Sequence, residues 1–550
     1  MRRRIAGFSA LAVAASLGLT TPARAADEFR TITRDGVILQ YQRVAKATSP
    51  GTGSGPTRSD FDGDGIDDIA ASSDPGDPNL PHHPTGVVVV RYSSAPQVDY
   101  FMGVLNESGC GCFGISQVAG DFNHDGYDDL AIGDADEVDP GNQAHAGGVW
   151  IIPGSSTGLV VDLARHVNQS SPGVPGDPEN YDWFGAALAA GDLNGDGYDD
   201  LAVGAYRESI GSASEAGSVT VLFGGSTGIT TTGVQDIHQD QAAVPGGAER
   251  NDHFGFTLAI GRVNTDGYAD LAIGSPHEND GSGDDGSGTV VLMWGSAGGV
   301  STTGVTSVTG WGIYPSTGSQ ETIAWYLGET LAIGDVNGDG LGEVVVGAPG
   351  AQTPHLRGGL LAVFTGRTAG ISNSAVRVIT QRTSGVPGDP EDGDNFAGAL
   401  AVGDVTGDGR ADVLVGTHGE AIGSAVRAGV ITLLKGSASG LTGTGAQSFD
   451  QNDPVIPGGS ERNDVFGGSV ALLNLDGTGG LDAVVSAAGE EVGGDPAGYP
   501  SGALYPFHGS GTGLVPQASS TNGLDLRTDR IWPQRYGLKI AGPQSGVPLP

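Results

Sequence analysis

The sequence predicts an all-β fold: a seven-bladed β-propeller of four-stranded blades. Three observations lead there. An acidic loop recurs, starting at Asp60, Asp121, Asp192, Arg262, Asp335, Asp404 and Asn474, at intervals of 61 to 73 residues. Short apolar runs follow each copy in the same order. They are often β-branched and bounded by Gly, Asn and Asp, so they read as strands rather than helices. Four runs per unit suit a propeller blade, and the unit is long for a solenoid coil.

The elements of a unit come in a fixed order. Phe113, Phe184, Phe254, Leu327, Phe396 and Phe466 each stand eight residues before a loop and are followed by Gly, except that Ala397 precedes Gly398. A first strand such as AALAAG (186–191) leads into the acidic loop. A second run follows, such as LAVG (201–204) or VVVG (344–347), closed by a small-residue turn: Gly204-Ala205, Gly274-Ser275-Pro276 or Gly347-Ala348-Pro349. A variable loop then leads to a third run, such as GSVTVLFGGSTGI, with a weaker copy, GVVVVRY (86–92), in the first unit. A fourth, less regular stretch precedes the next unit. The glycines, 97 of 550, are punctuated by these runs, which argues against disorder.

The domain reading is a signal peptide at 1–25, a lead segment at 26–47 and the propeller at 48–542. Blades are expected near 48–110, 111–170, 171–240, 241–312, 313–381, 382–450 and 451–530. Tyr536–Gly542 (YGLKIAG) resembles the stretch that opens the other units, whereas the first unit has no clear copy ahead of Asp60. Residues 536–542 are therefore expected to supply the inner strand of blade one and close the ring. VILQYQRV in the lead segment predicts an edge strand at an undetermined place.

Arg2, Arg3 and Arg4 precede an apolar run from Ile5 to Leu19, and Ala23-Arg24-Ala25 fits a cleavage site. The expected location is extracellular, after cleavage near Ala25. No other stretch reads as a transmembrane span. The formal charge of −38 disfavours nucleic acid and anionic membranes and suits cations or basic partners. Cys110 and Cys112 in GCGC suit a local disulfide, or an inert pair, better than a metal site.

The loops answer why so many carboxylates gather. Numbered from the first Asp, positions 1, 3 and 5 carry side-chain oxygens, position 6 is Gly, and position 9 is acidic; position 7 offers its backbone carbonyl. This is an oxygen ligand set for a hard divalent cation, calcium rather than magnesium. Position 12 falls in a strand-like run, which excludes an EF-hand. Five loops are expected to hold structural calcium. The first uses Asp60, Asp62, Asp64, Ile66 and Asp68; the second Asp121, Asn123, Asp125, Tyr127 and Asp129. The third uses Asp192, Asn194, Asp196, Tyr198 and Asp200; the fifth Asp335, Asn337, Asp339, Leu341 and Glu343. The sixth uses Asp404, Thr406, Asp408, Arg410 and Asp412. The fourth loop, with Arg262 at position 1, is expected to be neutralised internally, and the seventh, at Asn474, to carry too little charge.

The F-G pairs, acidic loops and G-A-P turns together resemble FG-GAP repeats, as in the propeller of integrin alpha subunits. The resemblance covers about residues 48–542. It implies a calcium-bearing propeller with the metal loops between the first two strands of a blade. The first unit lacks its F-G pair, and the fourth and seventh loops are degraded. No inserted adhesion domain, stalk or membrane span accompanies it, so receptor signalling is not implied. Phospholipases carrying such repeats place catalysis in a separate domain.

Metal loops on one face leave the strand 2–3 loops and inter-blade segments on the other. These are long and acidic, with Glu208, Glu278, Asp284, Asp285, Glu490 and Glu491, and carry Tyr181, Trp183 and Tyr206. They are the expected ligand surface; plain solubilising charge is the alternative. The leading reading is a monomeric, non-catalytic binding or adhesion module for an extracellular protein or envelope component. A lectin-like module for polysaccharide is the alternative, weakened because Tyr181, Trp183, Trp311, Tyr314, Trp325 and Tyr326 do not recur at one register. A polysaccharide-active enzyme ranks below both, since neither a G-x-S-x-G elbow in context nor H-E-x-x-H occurs.

Overall fold

The computed structural model describes residues 30–45, 57–73, 84–93, 97–104, 112–141, 144–279, 286–310, 313, 326–351, 358–490, 502–517, 539–540 and 545–546. The expected leader, Trp311, Tyr314 and Trp325 lie outside them, as do Asp284, Asp285 and Glu491. Cys112 is disulfide-bonded, and Cys110 is the only other cysteine of the chain.

The third blade shows the plan. Ala187–Gly191, Asp200–Ala205, Ser218–Phe223 and Thr230–Ile237 form one antiparallel sheet in chain order. The second strand is buried along its whole length because it has a neighbour strand on each edge and a neighbour blade on each face. The fourth lies at the rim and is half exposed, which explains its irregular sequence. Five further sheets repeat this order, and with the first blade they make seven.

The first blade is assembled from three parts of the chain. Ile69–Ser73, Pro84–Arg91 and Gln97–Val104 are its chain-order strands. Lys539–Ile540 pairs antiparallel with the first of these, with Ala71 opposite Ile540, in the inner place where the other blades hold their opening strand. On the outer edge Val37–Ala45 pairs with Gln97–Val104, and Arg30–Arg34 pairs with Val37–Ala45. The edge strand expected from the lead segment is thus a hairpin on blade one. Residues Ser545–Gly546 add a short parallel pairing inside the opening strand of blade five.

The core lies between blades rather than within them. Seven apolar clusters correspond to seven seams. One joins Phe184 and Val203 of blade three to Ile132's neighbours Ala131 and Val149 in blade two. The smallest joins Ile69 and Ala71 of blade one to Ala471, Leu473, Val484 and Leu504 of blade seven. Backbone bonds repeat the pattern. The position-8 N–H of each loop donates to the position-1 carbonyl of the preceding blade: Asp128 to Asp60, Asp199 to Asp121, Ala269 to Asp192, Gly342 to Arg262, Ala411 to Asp335 and Leu481 to Asp404. Asp67 donates to Asn474 at 2.8 Å, so the circle of bonds is continuous from blade seven to blade one.

The Phe-Gly and small-residue motifs meet on the other side of each seam. Phe184, Phe254, Phe396 and Phe466 are fully buried, and each donates its N–H to a carbonyl just ahead of the preceding blade's third strand, Phe184 to Ala146 at 2.8 Å. The residue after the Phe, Gly except for Ala397, lies against the Gly next to the end of the preceding blade's second strand. A Cβ on Gly133 would stand 1.9 Å from the carbonyl oxygen of Gly185, so only Gly fits.

Candidate functional site

In the metal loops, position 1 organises the turn. Asp60 Oδ1 accepts the N–H groups of Gly63 (2.7 Å) and Asp64 (3.0 Å), and Oδ2 accepts that of Gly65 (2.8 Å). Asp192 and Asp335 repeat all three bonds, and Asp121 and Asp404 repeat two. Position 5 accepts the N–H of position 7: Asp64 from Ile66, Asp125 from Tyr127, Asp196 from Tyr198, Asp339 from Leu341 and Asp408 from Arg410. Gly65, at φ +84, allows the reversal.

Position 9 is buried beneath the loop. Asp68 accepts from Phe61 and Ser93, Asp200 from Leu193 and Gly224, and Asp412 from Val405, Thr406 and Gly436. Glu343 accepts from Val336, and its other oxygen accepts from the Asn337 amide. Burial pushes Asp129 up to about 8, Asp200 and Glu343 up to about 7, and Asp412 up to about 6. Carboxyl groups held this way ionise readily only beside a compensating positive charge.

The ligand oxygens fit a cation best in the first loop. Asp60, Asp62 and Asp68 bring carboxylate oxygens within 4.8 Å of one another. Oxygens about 2.4 Å from one calcium ion lie no more than about 4.8 Å apart. In the second loop Oδ1 of Asn123, at position 3, is buried without a hydrogen-bond partner, an oxygen left over for a ligand. Asn194 instead accepts the N–H of Asp196 at 2.8 Å. In the sixth loop the Arg410 side chain pairs with Asp408 at 2.8 Å and competes with a cation for position 5.

The two degraded loops differ from each other. Arg262 donates to the carbonyl of Gly267 at 2.7 Å rather than pairing with a loop carboxylate. The amide of Asn264 bonds Asp266 at 2.9 Å instead. At the seventh loop His508, from the third strand, stands 2.8 Å from Asp476 and 3.0 Å from Asp482. That histidine was not foreseen, because it comes from a strand far along the chain.

Position 8 is a second residue class that the loop pattern conceals. Asp128 Oδ2 accepts the N–H of Asp60 (2.8 Å), Asp199 Oδ2 that of Asp121 (3.1 Å), and Asp67 Oδ2 that of Asn474 (2.7 Å). One acid of each Asp-Asp doublet thus ties blades together, and only the second faces the loop. The doublet itself is the signal: position 8 is Ala269, Gly342, Ala411 and Leu481 in blades four to seven.

A model of the FG-GAP repeat matches residues 113–152, 184–222, 254–293, 327–359 and 396–434. These segments begin at the buried Phe or Leu and end in the third strand, or in blade five just before it. The chain carries FG-GAP repeats. Phosphatidylinositol-glycan-specific phospholipase D of Homo sapiens is 32% identical over 195 residues, 34% of this chain and 21% of its own. Integrin alpha pat-2 of Caenorhabditis briggsae is 34% identical over 225 residues, 39% of this chain and 17% of its own. Integrin alpha-5 of Xenopus laevis is 29% identical over 247 residues, 44% of this chain and 20% of its own. The chain thus matches about a fifth of the length of these relatives. A rhamnogalacturonan lyase of Bacillus licheniformis aligns over 90% of this chain and 69% of its own at 10% identity, with a TM-score of 0.29, too loose to carry an argument. No helix among the described residues is long and apolar enough to cross a membrane.

The residue just before the Phe or Leu of blades three to seven has a left-handed backbone: Trp183 (φ 60), His253 (φ 58), Tyr326 (φ 61), Asn395 (φ 58) and Val465 (φ 58). Such a conformation is costly for aromatic and β-branched residues and persists only where the surroundings enforce it. In blades three to five it builds an arc of half-buried rings. Trp183 meets Tyr206 (5.4 Å), Tyr206 meets His253 (5.2 Å), His253 meets His277 (4.4 Å), and His277 meets Tyr326 (5.1 Å). Arg207 lies over Trp183 and pairs with Glu215, which also bonds His253. Burial and then His277 push His253 down to about 4, so its ring is neutral at neutral pH. Trp183 Nε1 is buried without a partner. Among Tyr181, Trp183, Trp311, Tyr314, Trp325 and Tyr326, only Trp183 and Tyr326 share this register, with His253 between them and Asn395 and Val465 after, so the arc also draws Tyr206 and His277 from the strand 2–3 loops.

The acids of this face are not all solubilising charge. Glu208 and Glu278 are buried. Burial pushes both up to about 8, helped by Asp182 and Asp252 respectively.

Proposed function

We propose that this chain is an exported, calcium-binding and non-catalytic binding or adhesion module. Its ligand is an extracellular protein or a cell-envelope component, met by the face opposite the metal loops. The observation that carries the reading is the arc from Trp183 to Tyr326. It is a contiguous, half-buried ring surface, held by costly backbone conformations on a scaffold whose seams are bonded all round. Rigid scaffolds that present unusual surface residues are typical of recognition sites. The integrin alpha relatives point the same way.

The chain's own residues would hold calcium in the loops at Asp60, Asp121, Asp192, Asp335 and Asp404. Bound there, the ion supplies positive charge to the buried position-9 carboxylates and stiffens the loop face. It performs no reaction in this scheme.

A polysaccharide ligand is the second reading, favoured by the arc itself, since ring faces stack on sugars. One experiment separates the two. Residues 26–550 are passed in millimolar calcium over immobilised polysaccharides, envelope fractions and matrix proteins, beside a Trp183→Ala, Tyr206→Ala double variant of unchanged melting temperature. Retention on protein or envelope fractions that the variant loses supports the leading reading. Retention on one sugar class that the variant loses promotes the second. Equal retention of both proteins removes the arc from the ligand site.

A further inference from the structure

A second oxygen cluster repeats on the face opposite the metal loops, at four seams. Each copy joins a Gln after the last strand of one blade, a Glu and an Asp of the inter-blade segment, and a Glu of the next blade's strand 2–3 loop. The sets are Gln169, Glu179, Asp182 and Glu208; Gln239, Glu249, Asp252 and Glu278; Gln381, Glu391, Asp394 and Glu420; and Gln451, Glu461, Asp464 and Glu490. The Gln-to-Glu separation is 39 residues in all four. In each, the Asp accepts the N–H of the Glu three residues before it.

Between blades three and four the cluster is tightest: Glu249, Asp252 and Glu278 bring one oxygen each within 4.8 Å of one another. A second, separate observation points to a ligand. Gln239 is 3% exposed and Asp252 0% exposed. Gln239 donates its amide N–H to Glu278, yet its Oε1 has no partner, and neither has Oδ1 of Asp252. Oε1 of Gln169, Gln381 and Gln451 is orphaned in the same way. A buried acceptor left without a donor is costly, and four such costs in one register call for a common cause. The charges acting on Glu278 are the carboxylates of Asp252 and Glu249.

Two other blades show what else can occupy the position. In blade two the matching acid, Glu137, meets a histidine, His166, at 2.8 Å. In blade five the position is Ala351, and the acid is gone. The acid is thus met by an internal base, deleted, or met by a neutral Gln amide beside further carboxylates.

We propose that the seam between blades three and four holds a divalent cation of the calcium class, bound by Glu249, Asp252, Glu278 and the Gln239 side-chain oxygen. The other three seams hold weaker copies. The ligand chemistry is oxygen only, as a hard cation requires, with water completing the shell. The site spans the seam, and Asp252 directly precedes His253 of the aromatic arc. A bound ion would therefore lie beside the arc.

The test is an anomalous-difference map from crystals of residues 26–550 grown with calcium and soaked in terbium. A peak about 2.3–2.6 Å from at least three of the named oxygens is expected. In Glu278→Gln that peak should vanish while peaks in the first-face loops persist. In solution the calcium bound per chain should fall by one, with the melt in chelator unchanged. Glu249→Gln, at an exposed position, gives the same readout if Glu278→Gln does not fold. No peak at this seam in the unmodified protein overturns the proposal, whatever the other face shows. Peaks here without peaks in the loops would instead overturn the calcium reading of those loops.

Discussion

The two faces of the ring solve the same problem with different chemistry. On the loop face, neighbouring blades are joined by one backbone bond repeated at all seven seams, and Asp67, Asp128 and Asp199 double it at three of them. On the other face, the join is a buried Phe and two glycines in backbone contact, with the Gln-Glu-Asp cluster added at four seams. Backbone bonds tolerate any side chain, so the loop face can lose its metal ligands in blades four and seven and keep its geometry. The second-strand Gly of blades two to six tolerates no side chain, since its Cβ would fall 1.9–2.4 Å from a backbone oxygen across the seam. The opposite face is therefore where the sequence is least free at the seam and most varied beyond it.

The largest effect should come from the glycine contact. Gly133→Val places atoms against the Gly185 carbonyl and should destabilise by about 3 kcal/mol or more, or prevent folding. Gly126→Ala, where a Cβ meets nothing within 4 Å, should cost only about 1 kcal/mol, the strain of φ +85. Urea titration of both variants checks the pair. Similar losses would mean that the two faces are equally tolerant.

Metal removal comes next. Each occupied loop should contribute about 2.7 kcal/mol when calcium is in hundredfold excess over its dissociation constant. Chelator should therefore lower the melting temperature of residues 26–550, and calcium should restore it. A melt unmoved by chelator would leave backbone bonds alone as the hold on the loop face.

The smallest effect sharpens the division within one doublet. Asp128→Ala removes an acceptor from the Asp60 N–H and should cost about 1–3 kcal/mol, similar with or without calcium. Asp129→Ala should cost more in calcium than in chelator, because it removes a proposed ligand. Equal calcium dependence in both variants would erase the distinction between tie and ligand.

Much of the fold was legible because a blade is a local object. The alternation of short apolar runs with Gly and Asp turns encodes strands within about 70 residues, and the fixed register of seven loops encodes the blade count. The missing first strand ahead of Asp60 and the YGLKIAG copy near the end pointed to a closing strand, and Lys539–Ile540 pairs where that strand belongs. Loop oxygens at positions 1, 3, 5 and 9 were equally local.

What escaped the sequence depends on partners that only the ring brings together. The first member of the Asp-Asp doublet had no role in the sequence, because it finds its partner in another blade; Asp67 and Asn474 lie 407 residues apart. Glu208 and Glu278 looked like solvated loop acids, because nothing local shows the Gln 39 residues earlier that covers each of them. The arc looked like scattered aromatics because Trp183, His253 and Tyr326 meet Tyr206 and His277 only in the folded ring. The sequence by itself determined the repeat, its strands and its oxygen-rich loops, since these follow from local periodicity and turn chemistry. The tertiary structure alone decided which acids tie blades, which line the loops, and which rings form a surface. Closing a ring sets those contacts across seams, and no local pattern records a distance across a seam.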